Sequence, residues 1–373
     1  MNDRTLAFVY SPEIENLSYP SACPFKTSRS TETRKRLLNF GLLGSPRQIE
    51  APCQPATPTE LLQFHHQDYL DILQTAARGD LNVQALEMGL GTPDTPVFKD
   101  LYHYGSWACG ASLEAAHLLL QQKADISFAL LGGFHHAMAR KAAGFCYLND
   151  VVLACNLLAQ HGKRVLCLDI DAHHGDGTQA AFYHRNDVLT VSFHESGETL
   201  FPWGGFENET GTGAGLGFNV NVPLPAGTYD EAFLHAFDQV VPSLVSSFKP
   251  GTIVVEMGMD TLAGDPLTHL QLTNNAHVEI ATRLLQFNTP LLITGGGGYH
   301  PENTVRGWTL AWQAFSGEID QDYALGMGGV MLENTDWTGG LRDRNLPVTP
   351  EQRAKVEPAI QKTIQRLKEL VLK

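Results

Sequence analysis

Six runs rich in valine, isoleucine and leucine recur along the chain: "LAFVYS", "SFALLGG", "RVLCLDID", "VLTVSFH", "TIVVEMGMD" and "PLLITGGGG". Continuous apolar runs of this length, without strict alternation, predict strands covered on both faces, as in a parallel sheet. Longer segments with helical periodicity lie between them. "TPTELLQFHHQDYLDILQTA" opens with Thr57, Pro58 and Glu60 as cap, first-turn proline and capping-box acid. "LNDVVLACNLLAQHG", "YDEAFLHAFDQVVPSLVSSF" and "NNAHVEIATRLLQF" read the same way. The final stretch, "TPEQRAKVEPAIQKTIQRLKELVLK", places Val356, Ile360, Ile364, Leu367 and Val371 on one face and predicts a closing amphipathic helix. Strand and helix alternate, so the class is α/β. No linker divides the chain, and residues 1–373 are expected to form a single domain.

In open α/β sheets, ligands bind beyond the carboxyl ends of the strands. The reactive side chains fall there. His135 and His136 follow "ALLGG", Asp169 to Asp176 end "VLCL", Asp260 ends "IVVEMGM", and Tyr299 follows "LLITGGGG". A polar strand end in a solvated loop would explain a lone Asp or His. The crowded "LDIDAHHGDG" is costly to bury unless something positive compensates it.

A catalytic zinc uses about three protein ligands and leaves a position for water. Asp171 and His173, two apart, face one side of an extended segment, and Asp260 supplies a third ligand from another strand. Two Asp and one His suit Zn²⁺, and also Fe²⁺ or Mn²⁺. For Asp260 alone the competing reading is a helix N-cap before "TLAGD". His135 and His136 are adjacent, so an extended backbone would point them apart. Each fits better as an imidazole held by a carboxylate, with Asp169 and Asp176 available as partners. His65 and His66, in a helical pattern, read as ordinary core or surface histidines. In "GGGGYH" glycine allows close backbone approach, and Tyr299 could donate a hydrogen bond to an oxyanion. A phosphate loop competes there, but GxxxxGK[ST] is missing and no helix is expected to begin directly. The sum is metal-assisted hydrolysis of an amide or ester.

Composition narrows the partners. The chain has 373 residues, 43% hydrophobic and 18% charged, as in soluble globular proteins. It has no twenty-residue apolar run, and its first residues read as a strand rather than a signal peptide. Six cysteines without CxxC spacing suit a reducing cytoplasm. A formal charge of −14 disfavours nucleic acid and favours cationic partners such as lysine-rich peptides or polyamines.

The blocks "GGFHHAMARKAAGFCYLND", "LDIDAHHGDGTQAAFY", "MGMDTLAGDPL" and "GGGGYHPENTVRGWT" resemble the signature segments of the zinc-dependent histone deacetylase family. The likeness is to its class I branch and the bacterial deacetylase-like and acetoin-utilisation relatives, and runs from "VYSPE" through "AWQAFSG". It implies the arginase/deacetylase fold: a central parallel sheet of about eight strands with helices on both faces. It implies Asp171, His173 and Asp260 as zinc ligands, and His135 and His136 as paired catalytic histidines backed by Asp169 and Asp176. Tyr299 becomes the tyrosine that polarises the carbonyl. Gly144, Phe145 and Phe201 would line an acyl-lysine tunnel, with Leu267 at its wall and Cys146 near the pocket that receives acetate. Asp94 of "DTPVF" would hold the substrate backbone. A structural potassium would use Asp169, Asp171, His173, Ser192 and Phe193. A second would use Phe182, Arg185, Val188 and Phe218. The expected substrates are acyl-lysine proteins or peptides, with no nucleic acid and no membrane.

One segment departs from the pattern: "FPWGGFENETG" replaces the eukaryotic "FPGTGD". Three alternatives compete. A two-metal ureohydrolase of the arginase kind needs a carboxylate two residues after the histidine, where this chain has Gly175. A deacetylase of acetylpolyamines or other small amides keeps the chemistry. A non-catalytic acyl-lysine binder would need a lost ligand or tyrosine, and none is missing.

Overall fold

In the computed structural model, residues 3–317 and 341–372 are described. The single-domain expectation therefore extends over residues outside this description. The strands are β1 (Leu6–Val9), β2 (Gln48–Ala51), β3 (Ile126–Ala129), β4 (Val165–Asp169), β5 (Val188–Glu195), β6 (Asn219–Leu224), β7 (Thr252–Glu256) and β8 (Leu291–Thr294). They form one eight-stranded sheet in the order β2-β1-β3-β8-β7-β4-β5-β6, and every neighbouring pair is parallel. Every strand except β2 is buried at all its positions, so both faces of the sheet are covered. The six strands read from apolar runs are all present. The two that were missed, β2 and β6, are the edges. β2 is short and turns Glu50 to solvent, and β6 carries Pro223, which an edge strand tolerates because no outer neighbour needs its N–H.

The helices are α1 (Arg29–Asn39), α2 (Pro58–Leu61), α3 (Gln67–Ala77), α4 (Val83–Glu87), α5 (Leu101–Leu120), α6 (Asp150–Gln160), α7 (Asp176–Phe182), α8 (Asp230–Phe248), α9 (Asn274–Gln286), α10 (Pro301–Ser316) and α11 (Pro350–Leu370). The capping box of Thr57 and Glu60 forms, but the helix expected across "TPTELLQFHHQDYLDILQTA" breaks at residues 62–66 into α2 and α3. The break lets His65 turn inward and accept the Asn149 N–H at 3.0 Å, while His66 stays exposed. The closing helix α11 buries Val356, Ile360, Ile364 and Leu367, and Val371 lies just past its end, half-buried against the core. The missed α5 is buried on nearly every side, which removes the polar stripe that makes a helix legible. Among the described residues no helix is long and apolar enough to cross a membrane.

The sheet order places the reactive strand ends together. β3, β8, β7 and β4 are the four central strands, and their carboxyl ends carry His135–His136, Tyr299, Asp260 and the Asp169–Asp176 segment respectively.

Candidate active site

After β4 the chain turns at once, and its own carboxylates organise the turn. Asp169 Oδ1 accepts the Asp171 N–H at 3.1 Å, and Asp171 Oδ1 accepts the His173 N–H at 2.8 Å. Asp260 Oδ1 takes the Ala172 N–H at 2.9 Å, tying β7 to β4. Asp260 caps no helix; its other oxygen lies 2.8 Å from His173 Nδ1, which is also 3.2 Å from Asp171 Oδ1. One ligand atom from each of Asp171, His173 and Asp260 lies within 4.8 Å of the others, and all three side chains are buried.

The donor set fits a divalent cation. Burial, then Asp171 alongside, pushes the Asp260 carboxyl upward. Burial lowers the His173 pKa, but Asp171 and Asp260 outweigh it and draw it up to about 10. Two dry carboxylates thus pull positive charge onto the one imidazole between them, at the point where an ion would supply it.

His135 and His136 occupy a turn after β3 rather than extended backbone, so the two rings converge. Their Nε2 atoms are 3.1 Å apart, with His135 Nδ1 2.8 Å from Asp169 Oδ2 and His136 Nδ1 2.8 Å from Asp176 Oδ1. The pair splits electrostatically. Burial lowers the His135 pKa, but Asp169 and Asp171 overcome it and raise it to about 9. Burial and the neighbouring His135 bring His136 down to about 4. The surroundings thus push the two rings in opposite directions, the division expected of an acid/base pair.

Around this centre stand the aromatic residues. The His136 and Phe201 rings are 5.0 Å apart, His173 and Tyr299 6.1 Å, and Phe145 and Tyr299 5.7 Å. Gly144 and Phe145 both adopt positive φ, and a Cβ on Gly144 would lie 2.4 Å from the His136 ring, so only glycine fits. Phe145 is clamped at both ends: its N–H donates to the Asp94 carbonyl at 2.9 Å and its carbonyl accepts from the Tyr19 hydroxyl at 2.8 Å. The Asp94 side chain is exposed. Cys146 is buried beneath Gly144, its thiol 3.2 Å from the Gly144 carbonyl. Leu267 is tied in through Asp265, whose two oxygens accept the N–H groups of Leu267 (2.9 Å) and Tyr299 (2.7 Å). Burial, with Asp260 and Asp171 nearby, pushes the Tyr299 phenol well above its ordinary range, so it keeps its proton.

The residues expected around potassium also cluster. Asp169 pairs in register with Ser192, next to Phe193. Farther off, the Arg185 N–H donates to the Phe182 carbonyl and the Thr190 N–H to the Phe218 carbonyl, with Val188 opening β5.

Several working residues were not read from the sequence. A helix does begin directly after "GGGGYH": His300 caps α10, and Pro301 is its first residue. Arg29, buried in α1, donates to the carbonyls of Gly298 (2.8 Å) and Gly296 (2.9 Å) and so holds the glycine loop from below. Asp150 accepts the N–H groups of Gly133 and Phe134, fixing the approach to His135, and Asn149 donates to the His135 and Ala137 carbonyls. "LND" before an apolar helix was the available signal for both. Glu256, fully buried at the end of β7, brings Oε1 within 3.6 Å of His135 Nδ1, and burial followed by Asp171 and Asp169 raises its carboxyl well above the usual range. It closes a second grouping of potential ligands, His135, Asp169 and Glu256.

Comparison with known proteins agrees with this geometry. The histone deacetylase domain model matches residues 23–315. Histone deacetylase 9 of Arabidopsis thaliana is 38% identical over 82% of this chain and 72% of its own length. Histone deacetylase B of Dictyostelium discoideum is also 38% identical, over 82% and 72%. The crystal structure of an HDAC homolog from Aquifex aeolicus superposes with a TM-score of 0.84 at 30% identity, covering 97% of this chain and 100% of that one. An HDAC homolog complexed with SAHA superposes at 0.86 and 29% identity, covering 98% and 100%. With the sheet, the converging ligands and the two histidine–aspartate pairs all in place, the chain belongs to the histone deacetylase family.

Proposed function

We propose that this chain is a lysine deacetylase that hydrolyses the side-chain amide of acyl-lysine in proteins or peptides, with one zinc ion held by Asp171, His173 and Asp260. The observation that carries the reading is the convergence of these three ligand atoms beside two histidines, each backed by its own carboxylate. A zinc ion held there supplies Lewis-acid polarisation of the acyl carbonyl and of a water molecule.

The protein's own groups perform the remaining work. His136, neutral and oriented through Nδ1 by Asp176, accepts the proton of the attacking water at Nε2. His135, charged and held by Asp169, stabilises the negative charge that develops and returns a proton to the leaving lysine amine. Tyr299, still protonated, donates to the oxyanion, and Asp265 fixes its backbone. Gly144, Phe145 and Phe201 exclude water around the acyl-lysine stem, Leu267 closes the wall, Cys146 borders the acetate pocket, and Asp94 orients the substrate backbone. Asp169, Asp171, His173, Ser192 and Phe193 would hold a structural potassium that stiffens the turn, and Phe182, Arg185, Val188 and Phe218 would hold a second.

A single catalytic metal is favoured over the two-metal alternative by sterics. A Cβ on Gly175 would stand 2.4 Å from Asp169 Oδ2 and 3.3 Å from His135 Nδ1, so the bridging carboxylate of a ureohydrolase has no room there. The test is a turnover panel of acetyl-, longer acyl- and lactyl-lysine peptides against acetylspermidine, using protein of measured metal content. Turnover of acetylspermidine alone would overturn the peptide reading. Two essential divalent ions per chain, the second at His135, Asp169 and Glu256, would overturn the single-metal mechanism.

A further inference from the structure

Two residues beyond Phe201, Trp203 presents its ring to solvent at 64% exposure, with φ at +65°. Positive φ is sparsely populated by bulky residues, and a conformation of that kind persists where the surroundings impose it. Here they do. Glu209 Oε1 accepts the N–H groups of Gly205 (3.0 Å) and Phe206 (2.9 Å), and the buried His194 reaches the Gly205 carbonyl at 2.8 Å. Gln179 in turn holds the other Glu209 oxygen at 2.6 Å. On the opposite side Gly197 backs so closely onto Gly204 that a Cβ would lie 2.4 Å from its carbonyl oxygen. An anchored loop therefore displays a large aromatic ring that buries little of itself. Two residues of chain span at most about 7 Å, so the Trp203 backbone lies close to Phe201, whose ring is 5.0 Å from that of His136.

The ring is also electronically unclaimed. Among the described residues, five arginines lie over aromatic rings and none lies over Trp203. No lysine or arginine occurs between Arg185 and Lys249, while Glu198, Glu207 and Glu209 flank the tryptophan. α11 brings Lys355, Lys362 and Arg366 to a groove that Glu198 and Glu207 share, but Trp203 does not line that groove. An indole face is the strongest cation–π acceptor among side chains.

We infer that Trp203 is a specificity-determining contact: it receives the cationic side chain of a lysine or arginine that neighbours the acylated lysine in a peptide substrate. This rests on the proposed deacetylase reading and sharpens its substrate class. The test measures kcat/KM and, by fluorescence anisotropy, Kd for acetyl-lysine peptides flanked by arginine, leucine or aspartate. Wild type, Trp203→Ala and Trp203→Phe are compared, each scaled to its own turnover of acetyl-lysine amide without flanking residues, so that general damage divides out. The wild type is expected to prefer the arginine-flanked peptide over the leucine-flanked one by about two- to five-fold. Trp203→Ala abolishes that preference in both readouts, and Trp203→Phe retains part of it. A preference unchanged in Trp203→Ala, or a wild type that favours leucine, overturns the inference while leaving the deacetylase reading intact. Failure of the wild type to hydrolyse any acyl-lysine substrate overturns both.

Discussion

Gly297→Ala should strip the metal from the protein without altering any ligand. The Gly297 N–H donates to Asp171 Oδ2 at 2.6 Å, and a Cβ at this position would fall 2.1 Å from Asp260 Oδ2 and 2.9 Å from Asp171 Oδ2. Real Cβ atoms keep at least 3.0 Å from other heavy atoms, so the Asp260 oxygen must retreat by about 1 Å, while Asp171 Oδ2 needs only about 0.1 Å. Metal–ligand distances tolerate only about 0.2 Å. Removing a contact that merely supports a ligand costs roughly 10- to 100-fold in metal affinity. Displacing a ligand itself is expected to cost at least about 100-fold in zinc affinity. The methyl group should also cost about 1–3 kcal/mol of stability through overpacking. Competition with a chromophoric chelator gives the zinc Kd, and thermal melts with and without zinc give the linked stabilisation. Zinc should raise the wild-type Tm and leave that of Gly297→Ala nearly unmoved. Gly251→Ala serves as control, since its added Cβ makes only ordinary contact, 3.4 Å from Lys163 Cδ. A Gly297→Ala protein that binds zinc within threefold of wild type would refute the placement of the ligands.

Asp260→Asn should abolish both stoichiometric zinc and turnover; elemental analysis showing one zinc per chain with normal activity would place the ligands elsewhere. Tyr299→Phe should retain zinc and substrate affinity while kcat falls roughly 10²–10³-fold, as for loss of an oxyanion donor; a near-normal kcat would remove the tyrosine from the mechanism. Asp94→Ala should damage peptide turnover far more than that of an acetyl-lysine analogue without flanking amides, and equal losses would mean that the residue only braces Phe145. His65 makes stability pH-dependent: burial lowers its folded pKa to about 4, so the unfolded chain binds the extra proton between the two values, and stability is whole above about 6.5 and lost as pH falls through about 4. At about 1.4 kcal/mol per pKa unit this amounts to about 3 kcal/mol, and urea melts of His65→Gln against wild type should show a flatter pH profile; parallel profiles would refute it.

The α/β class, the six inner strands and the closing helix were legible in the sequence, as were the histidines, aspartates and tyrosine that meet at the centre, whereas Glu256 was not. Strands covered on both faces must be continuously apolar, and carboxylates and imidazoles at their ends have few other reasons to exist. The edges were illegible for the complementary reason: β2 and β6 have a free side, so Glu50 and Pro223 interrupt the pattern. α5 was hidden because burial all around erases amphipathicity. Strand order and the approach of the side chains come from long-range packing. The chain lays down β3, skips two places to β4, builds outward to β6, and then returns to insert β7 and β8 between β3 and β4. That late insertion sets Asp260 and Tyr299 between the histidines and the Asp169–Asp176 turn, a juxtaposition that no local pattern encodes. Likewise the turn after β3, held by Asp150 and Asn149, rotates two adjacent histidines until their Nε2 atoms meet at 3.1 Å. Spacing names the groups that can react; long-range hydrogen bonds from distant segments fix where each one points.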